Sequence, residues 1–253
     1  MAQPLIDAFD VRSKDLIALV GGGGKSSLLF GLGRGWPGPV VLTSTTRLFK
    51  SQIALAPAAL GLSAQHLLGE RLARFGCCLV VGDPAGDKVL GVPADWPGRW
   101  LAREDVDLVV VEADGSRRRP VKAPAGHEPV LPAGVTLVIA VMGIDALQAP
   151  LAAVAHRPER VAQLTGLDLD QTLTPAAAAR LLADEQGGLQ RVPPTARFAV
   201  CLNKVETAAQ RSLAQETASR LLSWPRVERV VITALQRRLQ GVVVTRRRRG
   251  RLA

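Results

Sequence analysis

The chain has 253 residues, of which 47% are hydrophobic and 21% charged, so it is long enough to form a globular α/β domain with a large core. Aromatic residues make up only 4%, which argues against a base-stacking surface for single-stranded nucleic acid. The formal net charge is +10, but seven arginines in residues 236–253 carry +7 of it and leave +3 for the remainder. Nucleic-acid binding by the body of the protein is therefore not indicated.

Residues 236–253 form a basic end without any acidic residue. We expect a disordered, solubilising tail, with binding to phosphates or anionic lipid as the alternative. A single α/β domain is then expected over residues 1–235. The seven arginines of the tail are Arg237, Arg238, Arg246, Arg247, Arg248, Arg249 and Arg251.

The chain contains three cysteines, and their spacing matches neither a disulfide framework nor a zinc site. Cys77, Cys78 and Cys201 all lie in apolar runs, so we expect buried thiols in a reducing compartment. No apolar run reaches membrane-spanning length, and the N-terminal residues do not resemble a secretory signal. These features predict a cytoplasmic protein without a membrane span.

Apolar runs alternate with helix-like segments along the chain. Because the runs lack a polar–apolar alternation, they predict strands buried on both faces, which is typical of a three-layer, doubly wound, mostly parallel sheet. The Pro-, Gly- and Trp-rich region 55–105 is expected to be an irregular insertion with a small hairpin about the turn "DPAGD". The predicted strands are residues 16–20, 39–45, 77–82, 88–92, 106–116, 135–143, 196–206 and 227–235, and the predicted helices are 26–35, 175–188 and 208–224.

The stretch "LVGGGGKSSLL" (19–29) joins the first predicted strand to the first long helix. A strand, a glycine turn, a lysine, a hydroxyl and a helix N-terminus in this order are typical of a loop that binds nucleotide phosphates. The spacing fits the short form G-x-x-G-K-[ST]-[ST], which resembles the loop of Mur-type ligases; the alternative is a glycine-rich connection with an unrelated lysine. The predicted phosphate-binding residues are Gly21, Gly22, Gly23, Gly24, Lys25, Ser26 and Ser27.

Acidic and hydroxyl side chains follow two further predicted strands. Glu112 and Asp114 end the strand "LVVVE", and the carboxyl ends of strands are where open α/β sheets bind ligands. We expect Lys25, Glu112 and Asp114 to be catalytic. Mg²⁺ is predicted to be held by Ser26 and Asp114, with Thr45 as a further ligand, and Glu112 is predicted to orient the attacking nucleophile.

The stretch "CLNKVE" (201–206) resembles the N-K-x-D element with which GTP-binding proteins recognise guanine. "ITAL" (232–235) resembles the S-A-x element that follows in those proteins. Asn203, Lys204 and Glu206 are therefore predicted to contact the base. Glu206 is one methylene longer than the usual acid, and Asn203 as a simple helix cap is the alternative, so ATP and GTP both remain open.

A proline-stiffened basic loop follows the acidic strand end, in "VEADGSRRRPVKAPAGHEPVLP" (111–132). Such a loop is suited to closing over an anionic ligand or a partner. Two histidines alone do not make a metal site, since a third ligand is not evident. The predicted substrate or partner residues are Thr46, Arg47, Arg117, Lys122, His127, Glu128, His156 and Arg157.

Taken together with "VGGGGKSS", "TSTTRL" (43–48), "HRPE" (156–159) and "LNKVE", that loop resembles the YqeC family over most of the chain, from about residue 16 to residue 232. Members of this family are described as accessory factors for selenium-dependent molybdenum hydroxylases or as selenium cofactor biosynthesis proteins. The resemblance implies a P-loop protein and extends phosphate binding to the glycine loop and a site role to Glu112, Asp114, Lys122, His127 and Glu128. Glu206 departs from the aspartate of the family.

Three functions are compatible with these patterns. The first is an NTP-hydrolysing accessory protein for a selenium-containing molybdenum cofactor or its hydroxylase, using Mg²⁺ with ATP or GTP. The second is an ATP-dependent transferase or ligase that acts on a small anion. The third is a non-catalytic protein that binds the molybdenum cofactor.

Overall fold

The computed structural model describes residues 4–235 and 239–245. Its main strands are β1 (Leu16–Gly21), β2 (Val40–Ser44), β4 (Ala59–Gly61), β5 (Cys77–Val81), β8 (Leu108–Glu112), β10 (Leu137–Gly143), β12 (Arg197–Asn203), β13 (Arg229–Ala234) and β14 (Leu239–Thr245). Short strands are β3 (Leu48–Phe49), β6 (Pro84–Ala85), β7 (Lys88–Val89), β9 (Val121–Lys122) and β11 (Ala155–His156).

In the described part of the chain the main strands form one nine-stranded sheet in the order β14-β13-β12-β10-β1-β8-β2-β5-β4. All neighbours are parallel except β13 and β14, which are antiparallel. Every residue of β2, β5, β8 and β10 is buried, as expected of strands covered on both faces. The predicted three-layer, doubly wound fold is confirmed.

Helices cover both faces of the sheet. The α-helices are α1 (Leu5–Phe9), α2 (Lys25–Gly35), α3 (Lys50–Ile53), α4 (Leu68–Phe75), α5 (Trp96–Leu101), α6 (Leu151–Val154), α7 (Pro158–Thr165), α8 (Pro175–Ala183) and α9 (Ala208–Leu221), with 3-10 helices at Leu62–Leu67 and Ile144–Leu147. α8 and α9 pack together and share one apolar cluster with β10 and β12. α1 and α2 lie in a second cluster, and α4 and α5 pack in a third against β5 and β8.

Local chemistry explains where the longer helices begin. The Thr207 hydroxyl accepts a hydrogen bond from the Gln210 amide at the start of α9, and the Gln210 side chain accepts one from the Thr207 amide. At the start of α8, the Thr174 hydroxyl accepts a hydrogen bond from the Ala177 amide, ahead of a proline at the first helical position. Within the described ranges, none of the helices combines the length and apolar character needed to cross a membrane.

The region 55–105 differs from the expected irregular insertion. Strands β4 and β5 extend the parallel sheet beyond β2, because the apolar run of β5 can be buried on both faces there. The small hairpin consists of β6 and β7 alone and pairs with β3 in a separate sheet. β5, which corresponds to the predicted strand 77–82, therefore belongs to the main sheet.

The C-terminal segment also differs from expectation. Residues 239–245 form β14, which pairs antiparallel with β13 from Arg229↔Thr245 to Ala234↔Leu239. The apolar sequence "LQGVVVT" supplies the β-branched residues that a strand favours. The sheet therefore extends past residue 235, whereas the seven arginines lie outside the described residues.

The three cysteines are buried and unpaired. Burial raises the pKa of Cys77 to about 11 and that of Cys78 and Cys201 to about 12. These thiols are therefore protonated at neutral pH and serve as core residues, in agreement with their position in apolar strands.

Candidate functional site

The glycine run lies between β1 and α2, at the carboxyl edge of the sheet. Gly21, Gly23 and Gly24 have φ angles of 94°, 76° and 131°, a region that side chains rarely adopt. A β-carbon on Gly23 would lie 2.1 Å from the backbone nitrogen of Gly143. A β-carbon on Gly24 would lie 2.2 Å from Nδ2 of Asn203. The loop therefore requires glycine both for its turn and for its close approach to β10 and β12.

The N-terminus of α2 presents backbone donors to this loop. The helix begins at Lys25 after Gly24, and no side chain caps it. The first amides of an α-helix have no acceptor within the helix, and the helix dipole places partial positive charge there. The loop and helix start thus form a cradle that is suited to an anion such as a phosphate group.

The Lys25 side chain is only 3% exposed and lies among acceptors. Its Nζ donates to the Gly21 carbonyl at 2.6 Å, lies 3.2 Å from Asp114 Oδ1 and 3.7 Å from Glu112 Oε1. Burial acts to lower the pKa of Lys25, but Asp114 and Glu112 outweigh burial and raise that pKa. The ammonium is therefore charged at neutral pH.

The Ser26 hydroxyl contacts Glu112, whereas the sequence predicts that Ser26 and Asp114 hold Mg²⁺ and that Glu112 orients the nucleophile. The Ser26 hydroxyl donates to Glu112 Oε2 at 2.9 Å. Neighbouring oxygen ligands of an octahedral Mg²⁺ at 2.0–2.1 Å stand about 2.9 Å apart, so the pair fits two adjacent positions of that ion. Burial raises the pKa of Glu112, against the opposing effects of Lys25 and Ser26.

Asp114 is occupied by other partners. Its oxygens accept hydrogen bonds from the Gly21 amide at 3.0 and 3.1 Å, and they face Lys25 at 3.2 Å and Lys122 at 3.0 Å. The Thr45 hydroxyl donates to the Val130 carbonyl at 2.7 Å. Asp114 and Thr45, two of the predicted Mg²⁺ ligands, are therefore engaged by protein groups, whereas Glu112 lies beside the Ser26 hydroxyl.

A chain of ion pairs continues from Asp114 into the basic loop. Lys122 Nζ is 3.0 Å from Asp114 Oδ2 and 2.8 Å from Glu128 Oε2, and its side chain is 1% exposed. Glu128 Oε2 also accepts from Arg157 Nη1 at 2.8 Å. Although burial acts to raise the pKa of Glu128, the hydrogen bonds from Lys122 and Arg157 lower it to about 2.

Among the predicted base-recognition residues, Asn203 lies against the glycine loop. Asn203 is buried; it donates to the Gly23 carbonyl at 2.8 Å and accepts from Thr233 Oγ1 at 3.0 Å and from the Leu235 amide at 3.1 Å. Lys204 pairs with Asp145 at 2.7 Å. Asn203 therefore fixes the glycine loop, and it does not act as a helix cap. Glu206 is exposed.

An open cavity of about 490 Å³ lies at the far end of the ion-pair chain, lined by Gly115, Arg117, Glu128, His156 and Arg157. Four of these five were predicted as substrate or partner residues.

The remaining predicted loop residues are outside this cavity. His127 and Arg47 are exposed, and Thr46 donates its amide to Ser44 Oγ at 3.0 Å. Ser27 is half-buried in the first turn of α2. No group of three or more His, Cys, Asp or Glu side chains in the described part of the chain is arranged to hold a metal ion.

Two residues near the site were not predicted. Gln52 Nε2 donates to Ser26 Oγ at 2.6 Å, and its Oε1 accepts from the Phe49 amide at 2.9 Å. Ser44 is buried and donates to the Glu112 carbonyl at 2.8 Å. Ser44 lies in "TSTTRL" and could have been chosen from its place at a strand end. No local pattern marks Gln52, because its proximity depends on how α3 folds back.

A glycine loop that leads into a helix N-terminus, on a central parallel strand flanked by a strand that ends in acids, defines a three-layer α/β protein of the P-loop type. The chain matches the family described as YqeC protein over residues 17–159 and belongs to that family. It is also 29% identical over 236 residues to a protein of Escherichia coli (strain K12) described as "Uncharacterized protein YqeC", an alignment that covers 92% of each chain.

Proposed function

We propose that this protein binds a nucleoside triphosphate with Mg²⁺ at the glycine loop and hydrolyses it. The observation that supports this best is the 2.9 Å contact of Ser26 with Glu112, next to Lys25 and the uncapped start of α2. A hydroxyl and a single carboxylate leave the other ligand positions of Mg²⁺ to phosphates and water, as is usual for nucleotide sites.

Each of these residues has a separate role in the proposed binding and hydrolysis. The amides at the start of α2 and the Lys25 ammonium bind the phosphates, so Lys25 exchanges its contact with the Gly21 carbonyl for phosphate oxygens. Ser26 and Glu112 would hold Mg²⁺, which when bound neutralises charge on the phosphates. Gln52, held between the Phe49 amide and Ser26, would position a water or acceptor near that hydroxyl.

The cellular role that we propose is to assist the maturation of a selenium-containing molybdenum cofactor or its insertion into hydroxylases. This part of the proposal rests on the family resemblance of the sequence motifs. The nucleotide can be either ATP or GTP in this proposal. The Asn203 side-chain amide is held by the protein itself, so it does not select between adenine and guanine.

Thermal unfolding with Mg-ATP or Mg-GTP tests nucleotide binding. We expect at least one nucleotide to raise the melting temperature of the wild-type protein and of Lys50→Ala, whose side chain is exposed. Lys25→Ala should lose the shift, and Ser26→Ala, a smaller change, should lose the additional effect of Mg²⁺. The absence of any shift with either nucleotide in wild-type protein would contradict the proposal.

Product analysis tests hydrolysis. We expect free phosphate and nucleoside diphosphate from wild-type protein, with the rate reduced about 10²-fold or more in Glu112→Gln. Accumulation of a phosphorylated or adenylated product would show a transferase or ligase instead. Tight nucleotide binding without any turnover would show a binding protein.

A further inference from the structure

The cavity at the end of the ion-pair chain is separate from the glycine loop. Its walls come from the loop that follows β8 and from the junction of β11 with α7. Its volume of about 490 Å³ lies in the range of small-molecule sites, roughly 300–1,000 Å³.

Nitrogen donors without protein partners converge on this cavity. In the described part of the chain, Arg117 makes no hydrogen bond or ion pair, and neither does the His156 imidazole. Arg157 uses Nη1 alone, toward the Ala123 carbonyl and Glu128, so its other guanidinium N–H groups are available. Glu128 Oε2, in contrast, accepts from Lys122, from Arg157 and from the Ala125 amide. The wall therefore offers donors, and the charge of its one carboxylate is balanced by ion pairs with Lys122 and Arg157.

The electrostatic balance of the cavity also favours an anion. Burial, followed by the charges of Arg157 and Lys122, lowers the pKa of His156 to about 4, although Glu128 acts in the opposite direction. Arg117 contributes in the same sense as the other cations. The imidazole is neutral at neutral pH and supplies a hydrogen-bond donor in a region of net positive potential.

We propose that this cavity is a second binding site, which takes a phosphate group, free or carried by a small molecule, between Arg117, His156 and Arg157. A planar guanidinium matches phosphate oxygens with paired N–H groups, and two arginines supply two such faces. The site stands independently of nucleotide binding at Gly21–Ser26.

Inorganic phosphate is the probe for this site, measured by calorimetry at neutral pH and by the imidazole NMR signals. His156→Gln identifies the signal of His156. We expect phosphate to shift that signal in wild-type protein and in Lys25→Ala, in which the glycine loop is impaired. Arg117→Gln should weaken binding about tenfold or more, because a charged hydrogen bond is lost.

Arg118→Gln is the matched control. It removes the same charge at the next position, but the Arg118 guanidinium lies over the Phe49 ring at 4.6 Å and does not line the cavity. Phosphate affinity should therefore change much less than in Arg117→Gln. Arg157→Gly is a second variant that should weaken phosphate binding. Because the φ of Arg157 is 63°, glycine suits this position and the substitution relieves backbone strain.

Three results would overturn the proposal: no phosphate binding, equal losses in Arg117→Gln and Arg118→Gln, or a His156 signal that stays unchanged while phosphate binds. Phosphate binding that disappears only in Lys25→Ala would place the anion at the glycine loop alone. Since Arg117 is exposed and makes no hydrogen bond or ion pair in the described part of the chain, its variant is expected to fold.

Discussion

The Lys122 ammonium lies 3.0 Å from the Asp114 carboxylate, with both side chains almost fully buried at 1% and 2% exposure. This pair joins the glycine loop to the basic loop, because Asp114 also contacts Lys25 and Lys122 also contacts Glu128. Charges therefore alternate along a continuous row from the glycine loop to the second cavity. The row is Glu112, Lys25, Asp114, Lys122, Glu128 and Arg157.

Replacement of Lys122 by methionine should strongly destabilise the protein. It would leave Asp114 and Glu128 buried without their shared cation, and breaking such a pair costs about 3–5 kcal/mol. Lys204→Met is the matched control, since the side chains of Lys204 and Asp145 are 34% and 36% exposed. Its expected cost is about 0–1 kcal/mol. Urea unfolding measures both, and equal losses would contradict a special role for the buried pair.

Glu128 should make stability depend on acid pH. Its pKa of about 2 in the folded protein lies below the ordinary value of 4.5, so the folded state binds fewer protons than the unfolded state. The stabilisation is present above about pH 4.5 and is lost as pH falls toward 2, by on the order of 2 kcal/mol. Urea unfolding across this window should show a shallower decline in Glu128→Gln. Parallel curves would contradict the expectation.

The glycine loop should reject even a methyl group. Gly23→Ala places a β-carbon 2.1 Å from the Gly143 nitrogen at a φ of 76°, so we expect a loss of about 2 kcal/mol or more and impaired nucleotide binding. Gly126→Ala is the control, because nothing lies within 4 Å of a β-carbon there and its φ is not in the positive range. Thermal unfolding distinguishes them. A Gly23→Ala protein as stable as Gly126→Ala would argue against the close packing at β10.

Asn203 should support nucleotide binding without selecting the base. Its side chain holds the Gly23 carbonyl, Thr233 and Leu235, so Asn203→Ala should loosen the loop. We expect about a tenfold loss of affinity, equal for ATP and GTP, from the loss of buried hydrogen bonds. Competition binding with both nucleotides measures this. A loss confined to GTP would instead indicate that Asn203 contacts guanine.

That the side chains of the candidate site lie close together could be predicted from sequence where they belong to strand ends or to the glycine loop. Lys25, Ser26 and Glu112 follow apolar strands or open a helix, and the carboxyl ends of parallel strands meet at one edge. Gln52 could not be found in this way, because α3 is a four-residue helix with no pattern of its own. The sequence also could not predict which partners Glu112 and Asp114 contact, since strand alternation places both carboxylates on one face.

The sequence by itself determined the class of fold and the place of the glycine loop between a strand and a helix. Long apolar runs can be buried only in a sheet covered on both faces, and four glycines before Lys25 permit a turn that other residues cannot make. Only the tertiary structure decided which charges share a partner. These pairings depend on the loop 113–130, which folds back over β1 and brings Lys122 between Asp114 and Glu128. Because these side chains are buried, the loss of either contact would cost much free energy of folding.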